Sequence, residues 1–182
     1  MDVLDVLERA GLPTAGAYDL LAHGDDWETG LALLEEAGGG RPLPAAVWGE
    51  LTTAAEQLYL PRSAAWCRWR HGEARSDLVV RAELALPPAG EGRRGTAFDG
   101  AGVLRPLWDI GDRTPEGGPD LAVAALWVEG RPALGPGELA TVRLAPLSPE
   151  RWRGLRPGQV VTMHEGRPVG GTAVVLEARR HG

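Results

Sequence analysis

The sequence predicts an α+β fold, in which a helical part precedes an antiparallel β-structure. In the first 60 residues, apolar side chains recur at intervals of three and four, which is the period of an amphipathic helix. From residue 77 onward the period changes to two, and Gly/Pro-rich turns separate six short apolar runs. No helical pattern lies between those runs, so they predict an antiparallel barrel or sandwich.

Four helices are predicted in the helical part, each from its own start and stop signals. The first begins near Val3 and ends at residues 11–13, Gly-Leu-Pro, and a short second helix over 17–23 is closed by Gly24. Asp25 and Asp26 then form an N-cap with acids in the first turn, where the helix dipole favours negative charge. This third helix runs from Trp27 to the three glycines at 38–40. The fourth begins at Pro44 or Ala45, with five apolar residues facing inward: Val47, Trp48, Leu51, Ala55 and Leu58.

The remainder of the chain predicts a connector and six strands. Residues 61–76 form the connector, as a short helix or an extra strand. Its WCRWR run interleaves Trp and Arg as single-strand nucleic-acid binders do, although core packing of the two Trp, with arginines at the rim, is the favoured interpretation. The strands are predicted at residues 77–86, 104–110, 121–128, 138–146, 159–164 and 168–178.

Charge is divided unevenly along the chain. All 19 basic residues are Arg, and the formal net charge is −6. Residues 1–60 carry eleven acids against two arginines, whereas residues 61–182 carry fourteen acids against seventeen arginines. Two units with different partners, or two units that attract each other, are the functional interpretations, and a simply solvated acidic face is the alternative.

No catalytic residues, metal site, nucleotide site or other cofactor is predicted, so we expect a protein that is not an enzyme. The GEGRRG run at 90–95 fits a dinucleotide fingerprint, but the TAFDGAG that follows is incompatible with the required helix. A P-loop needs a lysine, which the chain lacks. The three serines and Cys67 lie in no nucleophile motif, and the four histidines have no metal-ligand spacing.

A cytoplasmic location without membrane contact is also expected. The chain begins Met-Asp-Val-Leu-Asp, which is acidic where a secretory signal would be basic. Its longest apolar run, residues 121–128, is far shorter than the roughly 20 residues that span a bilayer.

Four segments of the C-terminal half resemble the third domain of translation elongation factor Tu, in the order of that family. They are RAELAL with EGRRGTAF (81–86, 91–98), LRPLWDI (104–110), LGPGELATVRLAPL (134–147) and MHEGRPVGGTAVV (163–175). The resemblance implies a six-stranded antiparallel β-barrel, so the expected fold is an N-terminal helical domain followed by that barrel at 77–182. In such a barrel, Gly170 and Gly171 would let the last strand bend and close against the first.

The resemblance also implies a transfer-RNA surface, which this chain retains in part. Glu165 and Gly166 match the family's acid and glycine at the RNA surface, and Arg94 matches an arginine of the Gly-Arg loop. Gly95 stands where the family usually has His, and Leu107 replaces the Gln after Arg-Pro. The alternative function is therefore an RNA-associated translation accessory that contacts transfer RNA weakly, through Arg94, Arg105, Glu165, Gly166 and Arg167.

The N-terminal half is similar to small bacterial immunity proteins of toxin systems, in its Gly-Asp-Asp-Trp-Glu turn (24–28) and the amphipathic helix that follows. This similarity implies an immunity or regulatory protein, and the acidic charge of residues 1–60 predicts that it is a non-catalytic protein that binds a basic protein partner. The candidate contact residues are the acids around that helix: Asp25, Asp26, Glu28, Glu35 and Glu36.

Overall fold

The computed structural model describes residues 3–11, 21, 24, 26–37, 42–92, 94–166 and 168–180. Contacts divide the chain into two compact units, Met1–Ser76 and Asp77–Gly182. The first unit is helical and the second is built around a β-barrel. The α+β fold class predicted from the sequence is therefore confirmed.

The described part of the helical unit contains four helices. They are α1 (Val3–Arg9), α2 (Trp27–Ala37), α3 (Ala45–Gln57) and α4 (Pro61–Arg75). Helices α2 and α3 begin where the sequence signals place them. Each has an apolar face in the core of the unit, where Trp27, Leu31, Trp48 and Leu51 are fully buried. The short helix predicted over 17–23 lies almost wholly outside the described residues.

The predicted connector is mostly helix α4, which belongs to the helical unit. It has Pro61 at its first position, where a missing backbone N–H costs nothing, and it packs against α2 and α3. In the WCRWR run, Trp66 and Arg70 are buried, whereas Arg68 is exposed. The interpretation of this run as core packing with arginine at the rim is thus correct for Trp66, but Arg70 lies inside.

Arg70 is the centre of a buried network that links three helices. Its guanidinium carbon lies 4.7 Å from the ring centroid of Trp48 and 5.3 Å from that of Trp66. It donates two hydrogen bonds of 2.9 Å to Glu35, and its Nε lies 3.0 Å from Glu73 Oε2. Cation–π contacts and two carboxylates together compensate the cost of burying this charge.

The described part of the second unit contains eight strands and one short helix, in chain order: β1 (Leu78–Ala85), β2 (Phe98–Asp99), β3 (Leu107–Asp109), β4 (Ala122–Val128), β5 (Ala133–Leu134), β6 (Leu139–Pro146), α5 (Pro149–Trp152), β7 (Val160–His164) and β8 (Val169–Arg180). Six of the strands close an antiparallel barrel in the order β1-β6-β4-β3-β7-β8, and β2 and β5 form a separate two-stranded sheet. Alternate side chains of the barrel strands form one core, in which Trp108 and Trp152 meet edge to face at 6.3 Å.

All six predicted strands are present, with one marked difference in length. The strand predicted over 104–110 is reduced to Leu107–Asp109. Pro106 has no backbone N–H for the ladder, and Leu104 uses its carbonyl to accept a hydrogen bond from Leu126 N outside the regular pairing. The two-residue strands β2 and β5 and the one-turn helix α5 were not predicted.

Gly170 and Gly171 stand where the last strand approaches other parts of the barrel. Met163 pairs with Gly171 and His164 pairs with Val169, so Gly170 is an extra residue, a β-bulge. A Cβ on Gly171 would lie 3.0 Å from side-chain atoms of Leu84 and 3.1 Å from the carbonyl oxygen of Ala85. The glycine therefore lets β8 close against β1 by removing a clash.

Candidate binding surfaces

Two of the five predicted acids of the helical unit are used inside it. Glu28 is 7% exposed and accepts a hydrogen bond of 3.0 Å from Arg62. Glu35 accepts both hydrogen bonds from Arg70 and a third, of 3.2 Å, from the backbone N–H of Leu43. Because these carboxylates are committed to internal partners, they hold helices together and are poorly placed for a binding partner.

The other acids of this set lie on the surface or outside the described residues. Asp26 and Glu36 are exposed, and Asp26 accepts a hydrogen bond of 3.3 Å from the Thr29 hydroxyl at the start of α2. Asp25 is not among the described residues. Helix α1 adds two exposed acids, Asp5 and Glu8, which the sequence interpretation did not single out.

The barrel brings four of the five predicted RNA-contact residues to one cleft of about 420 Å³. In the β3–β7 ladder, Leu107 pairs with His164, so the residues before 107 and those after 164 continue to the same end of the barrel. The cleft has both polar and apolar lining residues: Arg94, Leu104, Arg105, Pro106, Leu107, His164, Glu165 and Gly166. The fifth predicted residue, Arg167, is not among the described residues.

Arg94 and Glu165 form a partly buried ion pair in this cleft. Glu165 Oε1 accepts hydrogen bonds from Arg94 Nε, at 2.6 Å, and from Arg94 Nη2. The Arg94 guanidinium also lies 4.8 Å above the ring centroid of the buried Phe98. Gly166 has φ +75, so the hairpin turn after Glu165 uses a backbone conformation that favours glycine. The arginine that an RNA phosphate would need is thus neutralised within the fold.

His164 adds a polar side chain to the cleft, although only 8% of the residue is exposed. Its Nε2 lies 2.9 Å from the Thr162 hydroxyl oxygen. Among the described residues, no group of three or more His, Cys, Asp or Glu side chains is placed to hold a metal ion.

Most described arginines of the barrel unit are paired with the unit's own carboxylates. This holds for Arg81, Arg94, Arg113, Arg131, Arg143, Arg151, Arg153 and Arg179. Arg156 donates instead to the carbonyl oxygens of Gly154 and Leu155. Arg105, in the cleft, is exposed and has no carboxylate within ion-pair distance in the described part of the chain. The described barrel surface therefore has no continuous row of arginines without carboxylate partners.

The acidic loop after β3 is held by arginine. Asp112 and Asp120 lie 2.9 and 3.1 Å from Arg151 Nη2, and Asp109 lies 2.9 Å from Arg113 Nη1. Burial acts to raise the pKa of Asp109, but hydrogen bonds from Gly111 N and Arg113 and the charge of Arg113 bring it below its usual value. Turn chemistry and ion pairing account for this loop.

The one cysteine of the sequence is chemically protected. Cys67 is buried in α4, and this burial raises the pKa of its thiol to about 12, against the opposing charges of Arg70 and Arg68. A neutral buried thiol is a poor nucleophile.

No family model matches this chain, and no curated protein matches it in sequence. Within the part of the chain that is described, no helix has both the length and the apolar character needed to cross a bilayer. The resemblances to elongation factor Tu and to immunity proteins therefore rest on the sequence landmarks quoted above.

Proposed function

We propose that this chain is a non-catalytic binding protein whose helical unit binds a basic protein partner. The observation that carries the proposal is a surplus of unpaired acids on the helices. Asp5, Glu8, Asp26 and Glu36 are exposed, and no described arginine lies within ion-pair distance of them. Such acids are free to attract a basic surface, and attraction of this kind raises the rate of association.

The division into two units sharpens the charge contrast. Residues 1–76 carry twelve acids and six arginines, a net charge of −6, whereas residues 77–182 carry thirteen of each and are neutral. The net charge of −6 of the whole chain thus equals the net charge of the helical unit. Four of its arginines, Arg9, Arg62, Arg68 and Arg70, already pair with acids of the same unit.

The more specific form of this proposal is an immunity or regulatory protein of a toxin system. It is supported by the similarity in sequence of the turn at 24–28 and of helix α2 to such proteins. The barrel would then supply a second binding surface.

The test is the association of the full chain with a partner that it captures from its own host. The capture would be followed by kinetics with the purified pair at several salt concentrations. We expect the D26R/E36R variant to lower the association rate about tenfold, with a smaller effect on dissociation, because these acids steer the encounter. The matched control is E83R/E150R, which reverses two exposed acids of the barrel unit. A partner that is acidic, or equal losses for the two variants, would overturn the proposal.

A second candidate function is transfer-RNA contact by the barrel, as a translation accessory related to elongation factor Tu. One observation favours it: Arg94, Arg105, Glu165 and Gly166 line the same cleft although they come from three segments of the chain. The neutral charge of the barrel unit and the internal pairing of Arg94 weigh against it, because phosphate binding depends on free cations.

A gel-shift assay of the full chain with bulk transfer RNA separates the two functions. If the chain binds a basic protein, its binding to transfer RNA should be weak at most, and Arg105→Ala should leave that binding almost unchanged. Tight, salt-sensitive binding that both Arg105→Ala and Arg94→Ala remove would favour the translation function instead.

A further inference from the structure

The turn between helices α3 and α4 holds an aromatic residue in an unfavourable backbone conformation. Tyr59 has φ +57, and it is the one non-glycine residue with positive φ in the described part of the chain. Leu60 N donates to Ala55 O at 2.9 Å and Tyr59 N donates to Glu56 O at 3.1 Å. These two bonds define a Schellman motif, in which the position of Tyr59 is normally occupied by glycine.

Packing within the fold does not offset the backbone strain at Tyr59. The residue is 89% exposed, and its neighbour Leu58 is 52% exposed. A buried tyrosine would offset the cost of the left-handed backbone through its contacts, but this ring faces solvent. Uncompensated strain that presents a side chain outward is typical of functional positions.

Tyr59 borders a notch of about 340 Å³ in the helical unit. Its apolar lining comes from Leu60, Pro61 and Ala64, and its polar edge from Glu56 and Arg68. Arg68 donates two hydrogen bonds, of 3.3 and 2.9 Å, and both end on Glu56 Oε1. Unlike the mostly buried Glu28 and Glu35, the Glu56 side chain is half exposed, and its Oε2 accepts no hydrogen bond from the described residues, so the notch has one carboxylate oxygen available for a further donor.

The start of helix α2 reaches the same end of helix α4. Trp27 N donates to Ser63 Oγ at 3.2 Å, and Arg62 pairs with Glu28 at 3.0 Å. The exposed Asp26, which precedes Trp27, is thereby held near the residues that follow Pro61. The exposed Asp26 and the apolar residues that follow Tyr59 thus lie near the same end of helix α4.

We propose that the notch at Tyr59 is the anchor point for the basic partner, and that it takes an arginine or lysine side chain flanked by an apolar residue. The cation lies over the Tyr59 ring and beside Glu56 Oε2, and the apolar residue packs on Leu60, Pro61 and Ala64. Tyrosine suits this role because it buries a large area at little cost in side-chain entropy. This inference rests on the proposed function and assigns the contact site within it.

The test is a selection of random peptides on the full chain, followed by titration of the selected peptide. We expect the selected peptides to contain Arg or Lys next to an apolar residue. Tyr59→Gly should weaken their binding at least about tenfold, and Tyr59→Phe should change it by no more than about threefold, because phenylalanine keeps the aromatic face. Glu56→Gln should weaken binding to peptides with the cation and leave binding to cation-free analogues unchanged.

Tyr59→Gly is the informative variant because glycine is the residue best suited to this backbone conformation. A loss of binding in that variant, with thermal unfolding that is unchanged or shifted to higher temperature, assigns the effect to the side chain. A selection that yields no basic peptide, or peptides that bind Tyr59→Gly as well as the original chain, would overturn the inference. If D26R/E36R slows the captured partner while Tyr59→Gly has no effect on it, this anchor is wrong and the proposed function stands.

Discussion

Arg70 and Glu35 face each other in the interior of the helical unit, joined by two hydrogen bonds of 2.9 Å between helices α4 and α2. Their side chains are only 8% and 14% exposed. Each charge of a buried ion pair compensates the cost of burying the other. Removal of one partner therefore leaves an uncompensated buried charge, which destabilises the fold. Glu35, which the sequence predicts to be a surface contact residue, therefore contributes to the stability of the fold.

We expect Glu35→Gln to lower the free energy of unfolding by about 2–3 kcal/mol, since Arg70 would keep only one charged partner, Glu73. Urea unfolding followed by circular dichroism measures this. Glu36→Gln, at the next position of the same helix but exposed, is the control and should change stability by less than about 0.5 kcal/mol. Equal effects of the two substitutions would show that the Arg70 network is not structural.

Tyr59→Gly should raise the free energy of unfolding by about 0.5–1 kcal/mol. Relief of the left-handed strain exceeds the entropy that glycine adds to the unfolded chain. Tyr59→Ala, which keeps a Cβ, should give no such gain. A loss of stability in Tyr59→Gly, measured by the same urea titration, would mean that the tyrosine ring contributes packing after all.

Gly171→Ala should lower the free energy of unfolding by about 1–3 kcal/mol, because the added Cβ meets Leu84, Leu86 and the carbonyl oxygen of Ala85 at 3.0–3.1 Å. Differential scanning calorimetry would follow the transition of the barrel unit. Gly154→Ala is the matched control, because no heavy atom beyond its two chain neighbours lies within 4 Å of the position of its Cβ. If both variants melt together with the unchanged chain, β8 does not approach β1 as closely as described.

The barrel should lose stability in acid partly through Glu129. Burial acts to raise the pKa of this carboxyl, but the hydrogen bond from Arg81 and the charges of Arg143 and Arg81 hold it below the ordinary value of 4.5. A depressed folded-state pKa stabilises the fold above the unfolded-state value, and the contribution disappears as the pH falls through the folded-state value.

The stability difference between the unchanged chain and Glu129→Gln should accordingly be largest near neutral pH and shrink below about pH 4.5. Urea unfolding at a series of pH values measures this difference. Glu83→Gln, on an exposed position of β1, serves as the control. A difference for Glu129→Gln that is constant from neutral to acid pH would contradict the assigned ion pairs.

Cys67 should report the opening of the helical unit. Because the thiol is buried and its pKa is raised to about 12, we expect very slow reaction with a disulfide reagent at about pH 8 and rapid reaction in guanidinium. Glu35→Gln should speed the reaction in native buffer, since it weakens the packing of α4. Rapid labelling of the unchanged chain would show that α4 is not packed as described.

The sequence by itself determined the fold class and most element positions. Its hydrophobic period of three to four along α2 and α3, and of two along β1 and β6, reflects which side of each element is buried. Local turn chemistry fixed several boundaries, such as the start of α3 after Pro44. The short strands β2 and β5 escaped prediction because two residues carry no measurable period.

Only the tertiary structure decided which charged residues are available for binding. In the sequence, Glu28, Glu35 and Glu36 are equally good candidates for surface acids. In the structure, Arg62 pairs with Glu28 across 34 residues and Arg70 pairs with Glu35 across 35 residues, and these contacts remove both acids from the surface. In the same way, Glu165 neutralises Arg94 across 71 residues, and the notch beside Tyr59 exists because α4 turns back along α3. Ion pairing and burial depend on neighbours that are distant in the chain, whereas hydrophobic periodicity depends on neighbours within one turn.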